Sequence, residues 1–226
     1  MLTFHLAGIN NQNFLMRDEE TGSFWQQISG KAVSGPLAGR QLEPVGSEEL
    51  SFALWRKENP QGMVLLPVAK FQQEYEPKDW EKRIGRARTV VDTSKTGIAP
   101  RTLMLGIELA GQSRAYPLNR VLEQKLVQDQ VGGVAIILVV GQDGKSVRAF
   151  KREIPGIVPE AEFYRKQEGA SGDGLFVDSA TGGEWNFKGC AVSGPGGNRC
   201  LTAVATIRDY WFDWHLYHPK TTVYAH

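Results

Sequence analysis

Two histidines near the end of the chain have the side chains best suited to bind a metal. His215 and His218 are three residues apart in a segment whose aromatic and apolar residues predict a helix. This spacing places both imidazoles on one helical face, where they could coordinate a transition metal. The chain contains an internal repeat that aligns Arg56 with His215 and Asn59 with His218. The aromatic residues around the two histidines favour packing. We therefore expect no cofactor in this chain, with a metal at this pair as the alternative.

A polar cluster between residues 10 and 27 has the groups that a ligand-binding surface needs. Amide, guanidinium and carboxylate side chains stand close in sequence to an indole, and they could orient a ligand by hydrogen bonds and stacking. Asn and Asp also make ordinary hydrogen bonds within turns, so a structural role is the alternative. The residues of the predicted ligand site are Asn11, Asn13, Arg17, Asp18, Trp25 and Gln27.

The chain has only two cysteines, Cys190 and Cys200, on either side of a turn at residues 193–198. Two strands that leave such a turn can bring the Cβ atoms to the short separation that a disulfide requires. A zinc site would need two further ligands, and nothing nearby in the sequence supplies them. The pair therefore forms either a disulfide or two free thiols, and a disulfide would indicate an oxidising compartment.

The charge and the apolar runs argue against two classes of partner. Lys and Arg total 26 against 25 Asp and Glu, so no long-range positive field would attract nucleic acid. The longest apolar run, residues 134–140, is far shorter than the roughly 20 residues that span a bilayer, and we interpret it as a buried strand. The first residues lack a basic stretch before a long apolar segment, so we expect no signal peptide in this sequence. We expect neither a nucleic-acid partner nor a membrane span.

An internal repeat organises the chain. The motif Asp-x-x-Thr-Gly-x-x-Trp occurs at residues 18–25 and again at residues 178–185. Residues 30–36 and 189–195 share Gly-x-Ala-Val-Ser-Gly-Pro. Five more residues match at the offset of this second motif, 189 − 30 = 159 positions. Arg40, Leu42, Trp55, Pro60 and Val64 correspond to Arg199, Leu201, Trp214, Pro219 and Val223. Chance does not produce this agreement, so we infer two copies of one module in tandem.

Each copy predicts β-like segments followed by a helix. Turns at Thr-Gly and Ser-Gly-Pro separate the extended segments, since these residues favour turns, and Pro60 and Pro219 end the helices. We predict an α+β fold, predominantly β, of two related barrel- or sandwich-like modules that each end in a short aromatic helix. The predicted divisions are residues 1–67 for the C-terminal half of the first module, residues 68–100 for a charged connector and residues 101–226 for the complete second module.

Several motifs resemble a known bacterial family. They are Arg-Ala-Tyr-Pro-Leu at residues 114–118, Val-Gly-Gly at 131–133, Leu-Thr-Phe at 2–4, the two repeated motifs and the terminal Trp-x-x-x-x-Pro. On these residues the chain is identified as a member of the family known as domain of unknown function 3179, with the first module truncated at its N-terminal half. Longer members look like tandem modules, often behind an export signal, so the resemblance implies an extracytoplasmic protein.

The resemblance also implies where reactive groups would lie. In longer members the first module has a helix with Trp-His-Glu and a strand that ends in Cys-Pro-x-Cys. The second module of this chain reads Glu-Gln-Lys at residues 123–125 and Val-Val-Gly-Gln at residues 139–142 in the corresponding places. The family has no activity to transfer, so the resemblance implies architecture and leaves function open.

We therefore predict a non-catalytic extracytoplasmic binding or accessory subunit, whose partner is another protein or its own missing segment. The aromatic band at residues 210–214 is too wide for one helical face, so part of it should pack on the other module or on a partner. One alternative is a metal-dependent or redox enzyme whose reactive groups lie in a missing N-terminal segment or a partner chain. Another is a ligand- or carbohydrate-binding protein that uses the surface from Asn10 to Gln27.

Overall fold

A computed structural model describes residues 1–43, 45–166 and 174–225. In this part of the chain the strands form four sheets, none of which closes into a barrel. The predicted α+β, predominantly β, fold is confirmed. The helices are α1 (Phe52–Glu58), α2 (Trp80–Ile84), α3 (Leu118–Gln124) and α4 (Trp211–Tyr217), with 3-10 turns at Ala69–Phe71 and Ser94–Thr96. Among the described residues, no helix has the length and apolarity that crossing a membrane requires.

Unit 1 is the smaller of two compact units and comprises residues 1–46, 86–102 and 210–220. Its sheet is an antiparallel meander whose four strands follow chain order. The strands are β1 (Phe4–Asn10), β2 (Asn13–Asp18), β3 (Phe24–Gln26) and β4 (Ala32–Ser34). Helix α4 belongs to the same unit.

The conformation of the turn between β1 and β2 explains the types of residue found there. Asn11 and Gln12 form a two-residue connection in which both have positive φ, 50° and 70°. Such turns match the twist of a hairpin, and Asn adopts this conformation more readily than most residues. The Gln12 amide then bonds to the backbone of Arg88 and Val90, which ties the hairpin to the second stretch of unit 1.

Unit 2 comprises residues 47–85, 103–209 and 221–226. Its strands are β5 (Leu103–Leu109), β6 (Gln112–Pro117), β7 (Leu126–Val131), β8 (Val134–Val140), β9 (Val147–Lys151), β10 (Phe163–Arg165), β11 (Phe176–Asp178), β12 (Glu184–Trp185), β13 (Ala203–Val204), β14 (Ile207–Tyr210, of which Tyr210 is in unit 1) and β15 (Thr222–Val223). The three sheets have the orders β14-β5-β6-β15, β13-β9-β8-β7 and β10-β11-β12.

Strand β8 is the buried centre of unit 2, as the apolar run predicts. Its side chains are buried from Ile136 to Val140, because the strand is covered on both faces. Ile136 and Leu138 point into one apolar cluster, which contains residues of β5, β6 and α3. Ile137 and Val139 point into a second cluster, which contains aromatic residues of β10, β11 and β12.

The two copies of the repeated motif make the same hydrogen bonds. In the first copy the Asp18 carboxylate accepts from the backbone and the hydroxyl of Thr21 and, at 2.7 Å, from the indole N–H of Trp25. In the second copy Asp178 accepts from its own threonine and, at 2.9 Å, from its own indole. The aspartate therefore holds the turn and the following tryptophan together, which explains why the motif needs these residue types at this spacing.

Each helix that follows a repeat lies in the unit built around the other repeat. Helix α1 follows the first copy in sequence but belongs to unit 2, where Leu50 and Leu54 pack against the second apolar cluster. Helix α4 follows the second copy but belongs to unit 1. There Trp214 is fully buried, and Trp211 donates its indole N–H to the Thr96 hydroxyl at 2.8 Å. The aromatic band thus packs beyond its own copy, as its width predicts.

The predicted divisions at residues 67 and 100 describe modules along the sequence, and they stay a prediction. The compact units follow a different pattern, because each gathers separate stretches of the chain. Residues 68–85 of the predicted connector belong to unit 2, and residues 86–100 belong to unit 1.

Cys190 and Cys200 form a disulfide, one of the two states that the sequence allows. The two residues face each other in an isolated antiparallel bridge. Lys31 and Gln41 occupy the matching positions of the first copy and form the same kind of bridge without a covalent link. The local fold of the repeat therefore does not depend on the disulfide.

The matching bridge makes a second disulfide testable. We expect the double variant Lys31→Cys, Gln41→Cys to form it and to gain about 2–3 kcal/mol in the free energy of unfolding, because the bond restricts the unfolded chain. Non-reducing peptide mapping would identify the new linked pair, and urea denaturation with and without reductant would measure the gain. The single variant Lys31→Cys is the control, and free thiols in the air-oxidised double variant would contradict the match.

Candidate functional site

The segment Met63–Leu66 follows helix α1 and exposes four consecutive apolar side chains. The exposed fractions of Leu65 and Leu66 are 98% and 81%. Within the described residues this segment belongs to no strand or helix. Single exposed apolar residues are common, but a contiguous run of them indicates a surface that another protein segment covers.

The second copy shows what covers the matching segment. Strand β15 lies 159 positions after Met63 and Val64, and it pairs in parallel with β6. The next residue, Tyr224, is the counterpart of Leu65 and is only 8% exposed. In the second copy, therefore, the front half of the module pairs with this part of the chain and buries Tyr224, whereas Thr222 and Ala225 stay exposed.

Three interactions hold Tyr224 against that front half. Its ring centroid lies 5.3 Å from that of Tyr116, and its hydroxyl donates to Oε1 of Gln124 at 2.9 Å. Its backbone N–H donates to the carbonyl of Ala115, also at 2.9 Å. Leu65 has no such aromatic or strand partner among the described residues, so the segment Met63–Leu66 is the unpaired equivalent of a paired strand.

Hydrogen exchange should distinguish the two segments. We expect the amides of residues 63–66 to exchange at nearly the rate of an unfolded peptide, because they lack a strand partner in the described part of the chain. The Tyr224 amide should exchange at least about 100-fold more slowly, since it donates to the Ala115 carbonyl and its side chain is buried. Mass spectrometry of overlapping peptides measures both rates in one sample. Equal protection of the two segments would contradict the assignment.

The residues of the predicted ligand site do not share one surface. Asn13, Asp18 and Trp25 are buried, whereas Asn11, Arg17 and Gln27 are exposed. Trp25 gives its indole N–H to Asp18 and lies edge-on to Phe4 at a centroid distance of 5.9 Å. Its ring is therefore not free to stack on a sugar. Ligand binding by these residues stays a prediction.

The buried carboxyl of Asp18 is kept ionised by its neighbours. Burial raises the pKa of the Asp18 carboxyl, but the hydrogen bonds from Trp25 and Thr21 outweigh this and lower the pKa to about 2. A carboxylate that accepts several N–H and O–H bonds in this way is a structural acceptor and a poor proton donor.

The lowered pKa of Asp18 predicts a pH dependence of stability. A carboxyl whose pKa falls on folding stabilises the folded state above its unfolded pKa of about 4. This contribution is lost as the pH drops toward its folded pKa of about 2.

We expect the thermal midpoint of Asp18→Asn to be lower than that of the wild type at neutral pH and to fall less steeply over this acid range. Differential scanning calorimetry measures both profiles, Asp79→Asn is the exposed control, and parallel profiles for Asp18→Asn and wild type would contradict the prediction.

A second buried polar cluster in unit 1 was not predicted. The Asn13 amide donates to the Asp213 carboxylate of α4. One turn further along α4, burial and then the charge of Asp213 raise the pKa of Tyr217, while the amides of Asn11, Gln26 and Asn13 oppose the shift. The sequence signal was the single acidic residue within the aromatic helix. Because these groups face one another inside the unit, the cluster has a packing role.

The two histidines of the predicted metal pair stack on separate tryptophans. The ring of His215 lies 4.7 Å from that of Trp211, and the ring of His218 lies 3.8 Å from that of Trp214. No group of three or more His, Cys, Asp or Glu side chains that could hold a metal is present among the residues described. The stacking gives both histidines a packing role, and the metal pair stays a prediction.

Comparison with known proteins identifies one relationship. The family model described as "Protein of unknown function (DUF3179)" matches residues 2–221. No curated protein and no solved structure matches the chain. The matched range contains both repeated motifs and the segment Met63–Leu66, and it ends before β15.

Proposed function

The chain belongs to this family of unknown function, and we propose that it is a non-catalytic binding subunit that receives a partner strand on the segment Met63–Leu66. One observation carries the proposal. Leu65 is 98% exposed, while Tyr224, its counterpart in the second copy, is 8% exposed against β6. The partner would supply to the first copy what β6 supplies to the second.

The chemistry of that partner follows from β6. It offers a strand that pairs in parallel, with a small residue, Ala115, opposite the incoming strand and an aromatic ring, Tyr116, beside it. Helix α3 follows directly. Burial of Leu65 against such a surface, at the position where Tyr224 is buried, contributes about 1.5–3 kcal/mol. The expected partner is therefore a separate polypeptide that carries the front half of a related module.

The repeat supports this interpretation. Both copies use the same aspartate-centred hydrogen bonds and the same bridge position, which supports two modules of common design. In this proposal the partner supplies the elements that correspond to β5 through β9. A subunit whose reactive or recognition groups come with the partner would itself be an accessory protein.

The disulfide supports an extracytoplasmic location. Disulfides such as Cys190–Cys200 persist in secreted and periplasmic proteins and are rare in the reducing cytosol. We therefore propose that partner binding takes place outside the cytoplasm.

Co-purification from cells of the source organism tests the proposal. We expect the tagged wild type to retain a partner in defined stoichiometry and the Leu65→Glu variant to lose it, because a carboxylate cannot be buried unpaired against an apolar strand. Val90→Glu, at another exposed apolar position, is the matched control and should retain the partner. Equal recovery with Leu65→Glu would contradict the proposal.

Metal analysis of the retained complex separates accessory function from the enzyme alternative. Stoichiometric copper, iron or zinc in the complex would favour a metal-dependent or redox enzyme whose reactive groups arrive with the partner. A metal-free complex would favour the binding subunit.

A further inference from the structure

A cavity of about 300 Å³ lies in unit 2 beside helix α1. Leu54, Leu175 and Phe187 give it an apolar lining, and Lys57, Lys188 and Asn186 add cationic and amide groups. At about 30 Å³ for each water-sized group, the space suits a molecule of roughly ten non-hydrogen atoms. It is of the size and mixed character that small-ligand sites have.

The carboxylate at this cavity is already committed to a partner. Glu58 also lines the space, but each of its oxygens accepts from the Arg148 guanidinium, at 2.9 Å and 2.8 Å. Arg148 is in turn held by the more exposed Glu48. Glu58 is therefore not available as a strong acceptor for a ligand, and the cavity does not suit a cation.

The cationic groups at the cavity have no such partner. Lys57 and Lys188 are exposed and form no ion pair with the described residues. Both lie close enough to Glu58 to lower its pKa after the larger effect of the Arg148 hydrogen bond. Their ammonium groups can therefore meet an anion that enters the cavity.

Asn186 adds a directed donor. Its side-chain oxygen accepts the backbone N–H groups of Lys188 and Cys190, at 3.0 Å and 3.1 Å. These bonds fix the amide orientation, and its NH₂ group has no partner among the described residues. An anionic oxygen at the cavity would supply the missing acceptor.

The aromatic side of the cavity is held in place. Phe187 is buried, and the Arg148 guanidinium carbon lies 4.6 Å from its ring centroid. Because Arg148 is fixed by two carboxylates, the ring is fixed with it. The cavity thus offers a rigid aromatic surface on which the apolar part of a ligand can rest.

The matching place in unit 1 is filled by the protein itself. Asp213 and Tyr217 of α4 correspond to Leu54 and Glu58 of α1, and Gln26 corresponds to Asn186. In unit 1 these residues face one another, and Asp213 accepts from a buried asparagine amide. The cavity is therefore a feature of unit 2, where α1 of the first copy lies beside residues 186–188 of the second.

We infer that the cavity beside α1 binds a small amphiphilic carboxylate, with its carboxylate at Lys57, Lys188 and the Asn186 amide and its apolar part on Phe187. A flat or branched apolar group suits the lining of Leu54 and Leu175. A neutral analogue of the same shape would lose the two ammonium contacts. This site is independent of the strand-binding segment, so either proposal can fail without the other.

Phenylacetate, which has the expected size, is the probe, and its neutral isostere 2-phenylacetamide is the matched comparison. We expect phenylacetate to bind the full chain with a Kd of about 1 mM or below and to shift the NMR signals of the Asn186 side-chain amide and the Phe187 ring. The double variant Lys57→Gln, Lys188→Gln should weaken this binding by about tenfold or more, because charge-assisted hydrogen bonds are lost.

The exposed double variant Lys78→Gln, Lys82→Gln controls for general charge effects and should bind phenylacetate as the wild type does. Circular dichroism checks that both double variants are folded. Equal affinity of phenylacetate and 2-phenylacetamide, equal affinity in both double variants, or shifts confined to residues away from the cavity would each overturn the inference.

Discussion

The Arg148→Met variant should lose about 3–5 kcal/mol in the free energy of unfolding, the range found when one partner of a buried ion pair is removed. The Arg148 side chain is 7% exposed and donates four hydrogen bonds, two to Glu48 and two to Glu58. The Glu58 side chain is itself only 12% exposed. Methionine fills much of the same volume, so the loss comes mainly from the carboxylate that is left without its cation.

Two further variants isolate that cause. Adding Glu58→Gln to Arg148→Met should recover part of the lost stability, because the buried charge is removed with its partner. Arg208→Met breaks the exposed pair with Glu49 and should cost no more than about 1 kcal/mol. Urea denaturation measures all four proteins under one set of conditions. Equal costs for Arg148→Met and Arg208→Met would show that burial of the pair contributes nothing.

The Trp214→Ala variant should also lose about 3–5 kcal/mol, as large-to-small substitutions in protein cores do. Trp214 is fully buried in unit 1, and its ring stacks on that of His218. Trp55 occupies the matching position of α1 but is only partly buried, beside Phe52. Trp55→Ala should therefore cost less, about 1–2 kcal/mol.

This pair of variants compares the same repeat position in two environments. Thermal unfolding followed by near-ultraviolet circular dichroism would report the loss of each tryptophan and the change in stability. Equal costs would mean that α4 is not packed as the structure describes, and that the aromatic band has no special role in unit 1.

The repeat could be predicted from the sequence because its residues have local roles. Asp18, Thr21 and Trp25 satisfy one another within a single turn, so their spacing alone indicates the contact. The same holds for Cys190 and Cys200, whose turn brings them opposite each other. The apolar run of β8 similarly indicates burial on both faces.

The long-range packing could not be predicted in this way. Nothing in the composition of α1 or α4 shows which unit each helix joins, because both are short helices with apolar faces. The predicted ligand site includes Gln27, whereas the structure buries Gln26 beside α4. Strand β3 has only three residues, too few for the alternation of polar and apolar residues to show which side chains are buried. That Leu65 lacks a partner strand becomes evident only when its exposure is compared with the burial of Tyr224 in the folded chain.

Photo-crosslinking at Leu65 is the most direct test of the central claim. A photoreactive phenylalanine analogue at this position, in the tagged full chain within its own cells, should crosslink to a peptide that contains an extended segment followed by a helix, as β6 is followed by α3. The same analogue at Val90 should not yield that peptide. A crosslink from Leu65 only to a second copy of this chain, or no crosslink beyond that of the Val90 control, would contradict the proposal that Met63–Leu66 receives a partner strand.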